Sequence, residues 1–251
     1  MMLPTTVAIF SSPMSDTSCP SVSYQLNGDV AVVGLDDGKV NVLTHEVIAA
    51  LHESLDRATQ EAKAVVMAGR PGKFTAGFDL KVMQSGPEAA SNLFRAGMDL
   101  FVRLYEFPLP VVAACTGHAF AAGAIWLMCC DVRIGAELDV KIGLNETAIG
   151  MVLPHSVVAL ARDRLSPRHV HSSVLLARLY SPDRATDVGF LDWVVPAEEL
   201  EEAATAEAAG LAEGLSLNAF AGTRRVIRGP VASSVREMLD DDTKSFTVGL
   251  S

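Results

Sequence analysis

The run VVAACTGHAFAAGAIWLMCC, Val111 to Cys130, decides how the chain is to be read. It is uncharged from end to end and nominally long enough to cross a bilayer as one helix. Its interior argues otherwise: Thr116, Gly117 and His118 interrupt it, Gly123 follows, and Asp131 and Arg133 stand directly beyond it. These residues divide the run into a buried strand, VVAAC, a tight turn, and a buried helix from about Ala122, so no membrane span is expected.

Upstream, the apolar run AVVMAG from Ala64 reads as another buried strand. It follows a helix that Thr44 can cap and whose apolar positions Val47, Ile48, Leu51 and Leu55 recur at helical spacing. Earlier still, SVSYQL and VAVVGLDD flank Asn27-Gly28-Asp29, where Asn and Gly tolerate positive φ, so the chain is expected to open with a β-hairpin. A helix from about Pro87 to Glu106, ended by FPLP, leads into the central run, and DVRIGA and VKIGL beyond it read as strands before a helix near Pro154. The alternation predicts an α/β architecture with largely parallel buried strands and no repeat of fixed period.

After FLDWVVP, Phe190 to Pro196, the composition shifts to AEELEEAATAEAAGLAEGL and stays helical to the end. A strandless amphipathic tail encloses no core of its own and is expected to pack on the main domain or a neighbouring subunit. The expected division is a disordered leader over 1–19, a core over 20–196 and a helical region over 197–251. The leader, MMLPTTVAIFSSPMSDTSCP, lacks the positive amino-terminal region of an export signal, and Met14 is an alternative start.

The chain has 251 residues, of which 49% are hydrophobic and 20% charged, ordinary values for a globular protein. A formal net charge of −10 argues against tracking a nucleic-acid backbone, which needs clustered Lys and Arg. Cys19, Cys115, Cys129 and Cys130 form neither a CxxC pair nor a disulfide framework, which points to reduced thiols in a cytoplasmic protein and to no zinc site.

Several motifs lead nowhere. HESLD, His52 to Asp56, puts two possible ligands one helical turn apart but offers no third, so no metal is expected. GRPGKFTAG, Gly69 to Gly77, has the spacing of neither common phosphate loop, and there is no G-x-S-x-G serine elbow. What remains is a pair of Gly/Ala turns, GKFTAGFDL (Gly72 to Leu80) and TGHAFAAGAI (Thr116 to Ile125), each after an expected buried strand and before a helix. A third element joins them: KIGLNETAIGMVLPHS sets one carboxylate, Glu146, among Ile142, Leu144, Ile149 and Val152. Helix packing and a solvated turn would account for these features singly. Together, two turns that let a ligand approach the backbone and one acid in apolar surroundings could also assemble an oxyanion site.

Three segments, FTAGFDLK (Phe74 to Lys81), GHAFAAGAIWLMCCD (Gly117 to Asp131) and IGLNETAIGMVLP (Ile142 to Pro154), resemble in order and spacing the crotonase superfamily of enoyl-CoA hydratases and isomerases, from about Ser21 to the C-terminus. The resemblance implies a spiral of ββα units with a helical C-terminal region that builds homotrimers, often paired into hexamers. It implies an acyl-CoA thioester as substrate, CoA being part of that substrate and no separate cofactor being needed.

By the same resemblance the backbone N–H groups of Phe78 and Ala122 hold the thioester oxygen while an enolate forms, with Ala122 at a helix amino end. The segment following Ala76 and Gly77 then meets the CoA, making Asp79, Leu80 and Lys81 expected contacts, with Gly123 in the second turn and Lys39 as an additional cation for phosphate. Asp79 reads equally well as a helix N-cap, and Lys39 and Lys81 as solvated surface residues. His118 and His155 adjoin the motifs and are candidates for the pocket, against the alternative of hydrogen-bonded structural imidazoles.

One departure is informative. Hydratases of this family use two glutamates; the position of the first is Ile125 here, and the second is Glu146. Adding water needs one group to activate the water and another to deliver a proton, whereas one carboxylate can carry a proton from C2 to C4 and so move a double bond. IGLNE in particular resembles the mitochondrial-type Δ3,Δ2-enoyl-CoA isomerases. Isomerisation of 3-enoyl-CoA to 2-enoyl-CoA, with Glu146 as single acid/base held at a raised pKa, is therefore expected. Hydration or thioester hydrolysis with a substituted second group, and non-catalytic acyl-CoA binding, are the alternatives.

Overall fold

In the computed structural model, which describes residues 17–245, the Asn27-Gly28-Asp29 signal forms a hairpin. Strands β1 (Val22–Asn27) and β2 (Val30–Leu35) pair antiparallel with Asn27 opposite Val30, and Gly28 takes the positive φ of +59° that the turn requires. Expectations for residues 1–16 and 246–251 lie outside the described residues. Residues 17–19, assigned above to the leader, are already packed: Cys19 is buried, and Thr17 Oγ1 donates to the carbonyls of Cys19 and Val22.

From there each unit sends its first strand to a large sheet and its second to a smaller layer, then closes with a helix. β3 (Val42–Leu43) precedes α1 (His45–Glu61), whose N-cap Thr44 accepts the Val47 N–H at 3.2 Å. β4 (Ala64–Ala68), β5 (Gly72–Thr75) and β6 (Gly77–Phe78) precede α2 (Leu80–Gln84) and α3 (Pro87–Tyr105). The central run becomes β7 (Val111–Cys115), β8 (Gly117–Phe120) and α4 (Ala122–Cys129). β9 (Val132–Glu137), β10 (Ile142–Gly143) and a 3-10 turn (Glu146–Ile149) precede α5 (His155–Arg164). α6 (Val170–Val174), α7 (Pro182–Val188) and β11 (Trp193–Pro196) lead to α8 (Leu200–Gly214) and α9 (Leu217–Ser245).

The large sheet has the order β1-β2-β4-β7-β9-β11 and is parallel beyond the opening hairpin. The second strands form a parallel sheet, β10-β8-β5, beside the pair β3-β6. This is the ββα spiral implied by the resemblance. Both Gly/Ala segments, read above as turns, contain short strands of this second layer. Gly117 explains why they resist reading: a Cβ there would lie 1.9 Å from the Gly72 carbonyl carbon, so the layer is built on backbone contact, with too few side chains to show alternation. VKIGL is strand only at Ile142–Gly143, because the chain leaves the sheet after Gly143 to enter the turn carrying Glu146.

Both faces of the large sheet are buried. Along β4, Val65 and Met67 face the main core while Ala64, Val66 and Ala68 face the opposite side, the period of two that a strand imposes. The tail supplies the second cover: Leu200, Ala204, Ala208 and Ala212, one per turn of α8, lie on those outward residues. α9 packs on α3 and α5 of its own chain. Arg224 and Arg228, both buried, reach from α9 to Asp131 at the end of the central run. Among the described residues no helix is long and apolar enough to cross a membrane, and all four cysteines are free and buried.

Candidate active site

The C-terminal ends of the second-layer strands converge. β6 ends at Phe78, β8 leads into Ala121 and Ala122, and β10 leads to Glu146. All four residues line one cavity of about 210 Å³. Ala76, Leu80, Met83, Phe94, Phe120, Ile125, Met151, Pro154 and Val157 also belong to its wall, and among the described residues the only polar side chains there are Asn145 and Glu146.

The two turns approach each other along their backbones. A Cβ on Gly77, which has φ +96°, would meet the Ala122 nitrogen and the Phe120 oxygen at 3.3 Å each, and one on Gly123 would come within 2.6 Å of the Thr75 oxygen. Amides flanking Phe78 are engaged elsewhere: Ala76 N–H donates to Val40 O, Gly77 N–H to Thr75 Oγ1, and Asp79 N–H to Leu43 O. The Phe78 ring is fixed by Phe94 and Phe101, at centroid distances of 6.4 and 6.3 Å.

Ala121 is held at φ +48° and ψ −115°, a region costly for a residue with a Cβ, of order 1–3 kcal/mol. Its N–H bonds Gly143 O at 3.2 Å and its carbonyl accepts the Ile125 N–H at 3.0 Å, which fixes the start of α4. Ala122 then heads the helix, where the peptide dipoles concentrate positive potential.

Glu146 is 8% exposed. The 3-10 turn that carries it is closed by the Met151 N–H on Glu146 O at 2.9 Å and by Gly150 at φ +80°. Burial raises its carboxyl from 4.5 to about 7, against a smaller lowering by the backbone N–H groups of Glu146 and Asn145. Among the described residues Oε2 has no hydrogen-bond partner, and neither has Asn145 Oδ1.

Thus Ala76, Phe78, Leu80, Ala122, Ile125 and Glu146 are brought together, and Gly77 and Gly123 set the spacing behind them. The other sequence candidates are not in the wall. Asp79 is the N-cap of α2, accepting the Lys81 N–H at 2.8 Å, and the Lys39 and Lys81 side chains are exposed. His118 is a correction: its Nδ1 accepts the Lys141 N–H at 3.1 Å and its ring lies against Phe120, so β8 presents Phe120 and not the imidazole to the cavity. His155 is another, because its side chain is 84% exposed beside Asp242, outside the wall that Pro154 and Val157 form on either side of it. Sequence reasoning missed Met83, Phe94, Met151 and Val157, which carry no signal apart from the apolar periodicity of any core residue.

An α/β spiral in which two backbone turns and one buried acid meet at an apolar cavity defines the enoyl-CoA hydratase/isomerase class, and the family model "Enoyl-CoA hydratase/isomerase" matches residues 25–247. The chain belongs to that family and is an enzyme of the enoyl-CoA isomerase/hydratase type. It is 34% identical over 199 residues to the "Putative enoyl-CoA hydratase" of Thermus thermophilus, covering 76% of each chain. An enoyl-CoA hydratase/isomerase family protein from Pseudomonas syringae superposes with a TM-score of 0.88 at 40% identity, over 90% of this chain and 98% of that one. The human mitochondrial delta3-delta2-enoyl-CoA isomerase gives a TM-score of 0.85 at 29% identity, over 90% of each.

Proposed function

We propose that the protein isomerises 3-enoyl-CoA thioesters to 2-enoyl-CoA, with Glu146 as its single acid/base. One observation carries this reading: Glu146 has a buried Oε2 without a partner among the described residues and a pKa near 7, in a cavity where Ile125 stands at the position of the first hydratase glutamate. Likeness to the human mitochondrial delta3-delta2-enoyl-CoA isomerase supports it.

In this mechanism the thioester oxygen accepts the N–H groups of Phe78 and Ala122. The Glu146 carboxylate takes a proton from C2; the C–H pair delocalises through the C3–C4 double bond as a dienolate whose charge rests on that oxygen. Glu146 then returns the proton to C4, leaving the double bond between C2 and C3. Preorganised donors matter because one oxyanion-hole hydrogen bond contributes about 2.7–4 kcal/mol in a well-studied hydrolase. A carboxyl poised near neutrality gives and takes the proton with comparable ease.

A second reading, hydration, is favoured by Asn145: its buried, unpartnered Oδ1 could accept from a water that Glu146 deprotonates. Self-association as a trimer or hexamer is carried over from the family, and the exposed Leu175 and Leu176, next to the α6 end that touches Thr147, support such a contact. Supplying 3-enoyl-CoA and 2-enoyl-CoA separately, with products followed by absorbance and mass spectrometry, tests the assignment. Isomerisation without mass gain is expected. Comparable water addition to the 2-enoyl compound would make hydration the better description, and no turnover of either would leave an acyl-CoA binder.

A further inference from the structure

The end of α9 grips both walls of the cavity from behind. Asp242 is buried, and its carboxylate accepts the backbone N–H groups of His155 at 2.9 Å and Ser156 at 2.8 Å, the first two residues of α5. Pro154 and Val157, which flank those two residues, line the cavity. Two residues before Asp242, Asp240 accepts Arg95 Nη1 at 2.7 Å; one residue after it, the Thr243 carbonyl accepts Ser91 Oγ at 2.8 Å. Arg95 and Ser91 belong to α3, which contributes Phe94 to the facing wall.

α5 has no side-chain cap from its own N-cap residue, Pro154, so its first-turn amides depend on a carboxylate supplied from elsewhere in the chain. The helix dipole favours that charge. Burial alone would raise the Asp242 pKa, but its bonds from Ser156 and His155 hold it below the usual carboxylate value, so the cap stays charged.

We propose that Asp242 is a positioning residue through which the end of α9 latches the Pro154–Val157 wall at a set distance from the Phe94 wall, fixing the width of the acyl cavity and hence the chain length it accepts. This rests on the reading of the cavity as an acyl site. The cavity holds about 210 Å³, part of it taken by the thioester at Phe78 and Ala122, so the fit of a medium-length unbranched acyl chain depends on where the two walls stand. Such a fit is lost when one wall is free to move by a fraction of an ångström.

The test is calorimetric affinity for butyryl-, octanoyl- and dodecanoyl-CoA in the wild-type protein and in Asp242→Ala, Asp242→Asn and Arg95→Ala, with kcat and KM for a 3-enoyl-CoA alongside. In Asp242→Ala, octanoyl-CoA is expected to lose about tenfold in affinity while butyryl-CoA stays within about twofold, KM rising with kcat little changed. Asp242→Asn, which keeps one acceptor, should fall between. Arg95→Ala removes a half-exposed contact on the other wall and should give a smaller change of the same pattern, so the proposal stands or falls even if Asp242→Ala does not fold. A wild-type preference among chain lengths that is unchanged in the variants, or an equal loss for all three, overturns the latch alone. Equal wild-type affinity for all three overturns the acyl reading of the cavity and the latch with it.

Discussion

Gly77 packs so closely against Ala122 that a Cβ on the glycine would lie 3.3 Å from the alanine's backbone nitrogen. That contact is the meeting point of the two Gly/Ala segments, and it places one proposed oxyanion donor beside the turn that supplies the other. A Gly77→Ala variant therefore suffers twice, from the positive φ and from a methyl group pressed on the Ala122 amide. kcat is expected to fall about 10²–10³-fold, comparable to deleting one oxyanion donor. Steady-state kinetics alongside circular dichroism checks this; a folded variant with unimpaired kcat would show that the two amides do not act together.

Removing the carboxylate separates chemistry from binding. Glu146→Gln keeps the shape of the cavity wall and is expected to lose roughly 10²–10⁴-fold in isomerase turnover while binding acyl-CoA nearly as before. A variant with full turnover would exclude Glu146 as the proton carrier.

The raised pKa of Glu146 fixes the sign of two pH effects. The proton-abstracting form is the carboxylate, so kcat/KM for the 3-enoyl substrate should climb as pH rises through about 7 and level off above it. Stability runs the other way. Between 4.5 and about 7 the unfolded chain ionises this group while the folded chain keeps it protonated, so folding loses free energy as pH rises across that window. The full penalty, roughly 3 kcal/mol at about 1.4 kcal/mol per pH unit, is reached above the folded value. Glu146→Gln should therefore be more stable than the parent at pH 8 and equal to it near pH 4, a crossover that urea unfolding at the two pH values would reveal.

Ile125 and Glu146 line the same cavity, and among the described residues no second acid lines it. Ile125→Glu supplies one, and water addition to 2-enoyl-CoA is the expected gain, detected as a hydrated product by mass spectrometry. The buried carboxylic acid also costs stability, of order 1–3 kcal/mol. Loss of stability with no hydration would show that Ile125 is not where a second acid could act.

Asp131 accepts both Arg224 and Arg228, whose guanidinium groups also cap carbonyls of Phe107 and Tyr105. Asp131→Asn leaves two buried cations with no full counter-charge, and a loss of about 3–5 kcal/mol in unfolding free energy is expected. Since these arginines join α9 to the core, the same variant should make the C-terminal helix exchange its amide hydrogens faster.

The elements with long, regular patterns were legible in advance. Two-residue turn chemistry at Gly28, the Thr44 cap, the apolar spacing of α1 and α3 and the uniformly buried β4 and β7 are local signals, set by backbone sterics and by the periods of helix and strand. The motifs around Phe78, Ala122 and Glu146 were legible too, through resemblance to the family, and the fold brings all three to one cavity. Hidden were β3, β5, β6 and β8, each of two to four residues, whose pairing depends on glycines letting distant backbones touch, and the shortness of β10 within VKIGL. Also hidden was the placement of His118 and His155 outside the cavity wall: His118 shares a face of β8 with Phe120 but bonds the Lys141 N–H one residue pair further back along the strand, and His155 sits exposed beside Asp242. The amino-acid sequence by itself determined which segments become helix or buried strand and which acid remains without a partner among apolar neighbours. Tertiary structure alone decided the cavity's width and walls, since Phe94, Ile125 and Val157 come from three separate helices and Met151 from the loop before α5, and only packing brings them to one volume.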